Sequence, residues 1–137
     1  MLNTKNELEI LWHEVFIPLW KIVNWNWEEI TAEEYYTIRK DTGNCEDWVW
    51  DSKKNAILTH FDKISNSDSI IVLNYEKNNI NWYIWANTLL EMWLALYLKK
   101  KIFLLNDIPE LSYKEEILWM KPIILNWDLL KIKKESL

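Results

Sequence analysis

The residue whose type and setting could do chemistry is Glu91. It is the one carboxylate in Asn87-Thr-Leu-Leu-Glu-Met-Trp-Leu-Ala-Leu-Tyr97, a mostly apolar stretch. Asn87 is a good N-cap, so the spacing predicts a helix from Asn87 to about Leu98 with Glu91 in its first turn or just beyond. The helix dipole there favours the ionised form, and Leu89, Leu90, Met92, Leu94, Ala95 and Leu96 desolvate it. Such a carboxylate can act as a nucleophile or a general base. The competing reading is a carboxylate that only complements the helix end. Asn87 and Thr88 could offer polar contacts or N–H groups to an anion at the helix start, or they could simply cap it. Asn74 ends the apolar run Ser69–Asn74, and Asn126 ends Ile123–Asn126. Open α/β sheets bind ligands at the carboxyl ends of their strands. Ordinary turn chemistry accounts for Asn74 equally well and for Asn126 somewhat better.

Other reactive residues lack partners in sequence. His13 and His60 show no metal-ligand spacing, which favours structural or surface roles. Cys45, the only Cys, has no His or Cys partner at useful spacing and reads as inert. No P-loop or dinucleotide fingerprint is present. No metal and no cofactor is expected.

The elements that must position Glu91 follow from apolar periodicity and capping signals. Residues 3–11 read as the end of an amphipathic helix, with Leu8 and Leu11 on one face. His13–Ile17 reads as a short strand stopped by Pro18, and 19–27 as loop. Thr31 and Glu34 form a capping box for a helix to about Lys40, followed by a turn at Asp41–Asn44. A helix over about 51–64 presents Ile57, Phe61 and Ile64. Ser69–Asn74 is a strand, 75–85 a polar loop, and Ile102–Leu105 another strand after the Glu91 helix, whose C-terminal end Lys99–Lys101 complement. Ser112 and Glu115 form a second capping box for a helix to about Met120. Ile123–Asn126 is the last strand, before a turn at Trp127–Leu129 and a Lys-rich solvated tail (Lys131, Lys133, Lys134).

Four apolar strands alternating with about five helices predict an α/β fold. The expected form is a three-layer flavodoxin/Rossmann-like parallel sheet with helices on both faces, in one domain over 1–137. The chain begins inside a helix, so the N-terminal strand of such a unit is expected to be absent, leaving a gap beside the strand at His13–Ile17.

The net charge of -5 argues against a nucleic-acid partner. No apolar run reaches the roughly 18 residues of a membrane span, and the first ten residues lack a signal-peptide core. With no internal disulfide available, a cytoplasmic location is expected.

Composition is anomalous: one Gly and 11 Trp in 137 residues, where Gly averages about 7%. Trp12 falls where a helix-ending Gly is expected. Asn81-Trp82 and Asn126-Trp127 read as Asn-Gly turns with Gly replaced, and Trp25 and Trp27 alternate with Asn in a turn-like run. There is one Arg against 15 Lys, as AT-rich coding produces. The pattern suggests a gene in which UGA encodes glycine but has been translated as tryptophan. The alternative is a Trp-rich surface, as in some carbohydrate binders.

With Trp read as Gly, several stretches resemble small bacterial and archaeal proteins related to nucleoside 2-deoxyribosyltransferases. They are 11–18 (LWHEVFIP), 67–75 (SDSIIVLNY), 82–93 (WYIWANTLLEMW), 100–106 (KKIFLLN) and 122–129 (PIILNWDL). In that group the corresponding stretches read LGHEVFIP, GYIGGNT-x-x-EMG and NGDL. The resemblance covers most of the chain outside 19–55. It implies a flavodoxin-like sheet and a Glu at a helix start that attacks C1′ of a 2-deoxyribonucleoside, releasing the base. Glu91 matches that Glu and Thr88 the Thr three residues before it. The implied partner is a small-molecule nucleoside or nucleotide, with no nucleic acid and no membrane, and a homo-oligomer is implied too. The chain departs from the transferases at Trp85 and Asn74, where they usually carry Asp, and in lacking the first strand. A hydrolase, or a non-catalytic nucleotide-binding or interaction module, therefore stays open beside a transferase.

Overall fold

A computed structural model describes residues 1–18, 21–24, 26–41 and 47–135. Trp20, Trp25, Cys45 and most of the turn expected at Asp41–Asn44, including Gly43, lie outside the described residues. The described chain is mixed α/β and forms two compact units, Met1–Val15 with Ile64–Leu137, and Phe16–Lys63.

The first unit contains α1 (Leu2–Ile10), β3 (Ser69–Val72), α4 (Ala86–Tyr97), β4 (Lys101–Leu104), α5 (Lys114–Trp119), β5 (Ile123–Ile124) and α6 (Leu130–Glu135). Its sheet is parallel in the order β3-β4-β5, with Ile70 opposite Ile102 and Phe103 opposite Ile123. After Ser69 and Lys101 the four-residue strands are runs of large apolar side chains, a composition typical of strands covered on both faces. Phe103, Leu105 and Leu125 pack with Leu8 of α1 and Ile132 of α6, and Leu11, Val15, Ile71 and Leu73 border the cluster. By strand alternation, Ile102 and Leu104 point the other way and are also buried. α4 contacts both β3 and β4 and buries Met92 and Ala95. Each fully buried Leu, Ile or Phe contributes roughly 1.5–3 kcal/mol.

The second unit holds β1 (Lys21–Val23), β2 (Glu29–Thr31), α2 (Ala32–Asp41) and the body of α3 (Asp47–Ser65). β1 and β2 form an antiparallel hairpin. The capping box forms as expected. Glu34 N–H donates to Thr31 Oγ1 at 3.2 Å, and Thr31 N–H donates to Glu34 Oε2 at 2.6 Å. The Thr31 N–H, and after it the Thr31 hydroxyl, favour the charged carboxylate and hold Glu34 below the usual carboxylate range. The Tyr35 hydroxyl donates to Val49 O at 2.5 Å, and both residues are buried.

Several expectations are corrected. His13–Ile17 is not a strand: residues 13–18 have no regular structure, and Val15 borders the apolar cluster from an irregular segment. Among the described residues the parallel sheet has three strands, not four, and His13–Ile17 is not one of them. Residues 19–27, expected as loop, contain β1, which finds a partner in β2, a segment with no strong apolar alternation. Ser112 and Glu115 make no capping box. Tyr113 is the N-cap of α5 and no side chain caps it. The tail is helix α6. There the Lys131 ammonium donates to Ile124 O and Leu125 O at 3.2 and 3.1 Å instead of lying free in solvent.

The backbone adopts positive φ at nine described non-Gly residues: Trp12, Trp27, Asn78, Asn79, Trp82, Lys99, Lys121, Asn126 and Trp127. Eight of them lie in the first unit, at turns or just past helix ends. At Lys77–Ile80 the paired bonds Lys77 N–H to Ile80 O (3.0 Å) and Ile80 N–H to Lys77 O (2.9 Å) close a two-residue hairpin on Asn78 and Asn79. Asn tolerates this conformation better than other residues with a Cβ.

Candidate functional site

The carboxyl ends of the parallel strands carry one repeated signal, an apolar run ending in Leu-Asn: Leu73-Asn74, Leu105-Asn106 and Leu125-Asn126. In the folded chain these ends are tied together. Asn74 is fully buried. Its Oδ1 accepts the Asn106 N–H at 2.9 Å, and its Nδ2 donates to Asp107 O at 2.9 Å and Asn106 O at 3.4 Å. Asn106 Nδ2 donates to Asn74 O at 3.0 Å, and Asn106 Oδ1 accepts the Trp127 indole N–H at 2.9 Å. Asn106 was not singled out in the sequence, although its place in the Leu-Asn repeat was the available signal.

Asn126 is exposed, and its turn explains why. Asn126 and Trp127 have φ of 50° and 65°, and Asp128 N–H donates to Leu125 O at 3.1 Å. Positive φ at both central residues is the type I′ signature, for which Asn-Gly is the favoured pair. The turn brings Trp127, rather than the Asn126 amide, onto Asn106.

The segment leading into α4 lies over the same edge. Tyr83 N–H donates to Tyr75 O at 2.9 Å, and the Tyr113 hydroxyl donates to Ile84 O. Burial, with a smaller contribution from its hydrogen-bonded neighbour Tyr83, pushes the Tyr113 phenol above its ordinary range. Tyr75 packs on Trp127 with ring centroids 6.1 Å apart, and Tyr83 meets Trp85 edge-on at 5.6 Å. The Lys77 ammonium lies over the Trp85 ring. The edge is thus an amide clasp rimmed by aromatic side chains. Of these residues, Asn74 and Asn126 are the two expected as candidates from the sequence.

α4 starts two residues earlier than a cap at Asn87 predicts. Its N-cap is Trp85, in extended conformation, and no side chain caps it. Asn87 is therefore not the cap. It stands exposed inside the first turn. Glu91 falls in the second turn, half-buried. Thr88, Met92 and Ala95 follow the i, i+4, i+7 line that faces the sheet, and Thr88 is half-buried. Glu91 lies on the flank of that line. Asn87 and Thr88 sit four and three residues before it, so all three share one side of the helix. Glu91, Thr88 and Asn87 thus form one group on α4, and Asn74 and Asn126–Trp127 form another joined through Asn106.

Among the described residues no three His, Cys, Asp or Glu side chains converge as a metal site, and no helix is long and apolar enough to cross a membrane. His13 Nε2 is buried with no hydrogen-bond partner among the described residues. A depression of about 400 Å³ is lined by Glu7, Ile10, Leu11 and Trp127–Leu130, and of the residues at the sheet edge and on α4 it includes only Trp127. No protein-family model matches the chain, and comparisons with curated proteins and with solved structures give no significant match.

Proposed function

We propose that the protein acts on the N-glycosidic bond of a nucleoside or nucleotide, with Glu91 as nucleophile, on a flavodoxin-like three-layer scaffold. The observation that carries this reading is the place of Glu91. It is a half-buried carboxylate in the second turn of the helix that links adjacent parallel strands, with a half-buried Thr88 one turn before it. In the proposed step a Glu91 carboxylate oxygen bonds to C1′ of the sugar. The C1′–N bond breaks, and its electron pair leaves with the base, which takes a proton from water. A water molecule, or a second base, then attacks C1′ and frees the carboxylate.

Asn74 supports a second reading, a nucleotide-binding module without turnover. Its amide is fully engaged in joining two loops, and it offers no carboxylate to assist proton transfer to a base. One assay separates the readings. The protein purified from cells that naturally express it is incubated with deoxynucleosides and deoxynucleotides, alongside Glu91→Ala. Free base released by wild type and lost in the variant supports catalysis. Ligand binding without base release, unchanged in Glu91→Ala, supports the module.

A further inference from the structure

Trp20 and Trp25 lie outside the described residues. Of the other nine tryptophans, four have left-handed backbone: Trp12 (φ 69°), Trp27 (65°), Trp82 (61°) and Trp127 (65°). For a bulky residue each such position is an outlier. A Cβ there meets the following carbonyl, at roughly 1–2 kcal/mol per residue.

At least three of the four occupy sites where local hydrogen bonding defines a glycine position. Trp12 is the C′ residue of α1. His13 N–H donates to Leu8 O at 3.1 Å and Trp12 N–H to Glu9 O at 3.0 Å, the two bonds of a Schellman motif. Trp27 is the last residue of the β1–β2 hairpin loop. Its N–H donates to Asn24 O at 3.1 Å, and Asn24 N–H donates to Glu28 O at 3.0 Å. That is a three-residue loop ending in a left-handed bulge, where Gly is standard. Trp127 is the second central residue of the type I′ turn described above. Trp82 follows Asn81 in the turn before α4.

Packing does not offset the backbone cost at the first two. The Trp12 and Trp27 side chains are 94% and 89% exposed, so neither gains the burial that makes an aromatic side chain stabilising. The same backbone conformation elsewhere carries residues of other kinds: Asn at 78, 79 and 126, and Lys at the helix ends 99 and 121. Meanwhile 137 residues hold a single Gly. Scarce glycine and left-handed tryptophan have one common explanation.

We infer that the native polypeptide carries glycine at positions 12, 27, 82 and 127, through a UGA codon that its source cell reads as glycine. The inference does not depend on the proposed chemistry. Residue identity and base release are read by separate measurements, so either can fail alone. The consequence for the sheet edge is specific. Glycine at 127 removes the indole from Asn106 Oδ1 and from the Tyr75 ring, and glycine at 82 removes an exposed side chain from the turn before α4. The test is tandem mass spectrometry of peptides from the protein purified from cells that naturally carry the gene. Peptide masses and fragment ladders with glycine at all four positions are the expected result. Tryptophan at any of the four overturns the inference.

Discussion

Asn74 and Asn106 hold the carboxyl ends of two adjacent parallel strands in a reciprocal clasp. Each side-chain amide bonds the other residue's backbone: Asn106 N–H reaches Asn74 Oδ1 at 2.9 Å, and Asn106 Nδ2 reaches Asn74 O at 3.0 Å. Removing the Asn74 amide leaves the part-buried Asn106 N–H without this acceptor. Asn74→Ala is therefore expected to destabilise the fold by about 1–3 kcal/mol, read as a lower urea midpoint. Asn74→Asp is expected to cost more at neutral pH, because a carboxylate would face the carbonyls of Asn106 and Asp107 that Nδ2 now bonds. Its deficit should shrink as the carboxylate is protonated on acidification.

Glu91→Gln keeps the shape of the side chain and removes its nucleophilicity. Base release is expected to fall by at least roughly 10²-fold, with the unfolding free energy changed by less than about 1 kcal/mol. A variant that retains full turnover would remove Glu91 from the mechanism.

The left-handed tryptophans predict a pattern of stabilities. Trp12→Gly and Trp27→Gly are each expected to be more stable than the matching Ala variants by about 1 kcal/mol. Trp85→Gly, at a position with φ -70°, should show no such advantage over Trp85→Ala. Chemical denaturation of the six variants checks this. The chain with all its tryptophans in place is expected to show no turnover.

The capping box gives α2 a pH dependence of known sign. Glu34 is held below its ordinary range by the Thr31 N–H first and the Thr31 hydroxyl second. A depressed carboxylate contributes stability that is present above the unfolded-state value and lost as pH falls through the folded value. Acidification below about pH 4.3 should therefore weaken the wild type more than Glu34→Gln. The difference between their denaturation midpoints across pH 2–6, roughly the range that spans the carboxylate values, reports it.

Tyr113 gives the opposite sign at the alkaline end. Burial and then Tyr83 raise its phenol, so its contribution is complete below the unfolded-state value, about pH 10, and is lost as pH rises through the folded one. Tyr113→Phe is expected to flatten the alkaline loss of stability relative to wild type while lowering stability at neutral pH, since the bond to Ile84 O disappears.

The sequence by itself determined the local features. Apolar runs at 69–74 and 102–105, the Thr31–Glu34 box and the helices around Tyr35, Phe61 and Met92 all depend on neighbours a few residues apart, and their chemistry is written in the residue order. It also marked Trp12, Trp82 and Trp127 by the company they keep. Tertiary structure decided the rest. His13–Ile17 has a strand-like pattern and no strand partner, whereas Glu29–Thr31 becomes a strand because Lys21–Val23 pairs with it. A ladder needs two chains, and periodicity sees only one. Asn87 looked like a cap, but the backbone of Trp85 turns extended first and starts α4 early. The clasp of Asn74 on Asn106 joins residues 32 positions apart, a separation at which only the pairing of β3 with β4 brings them together.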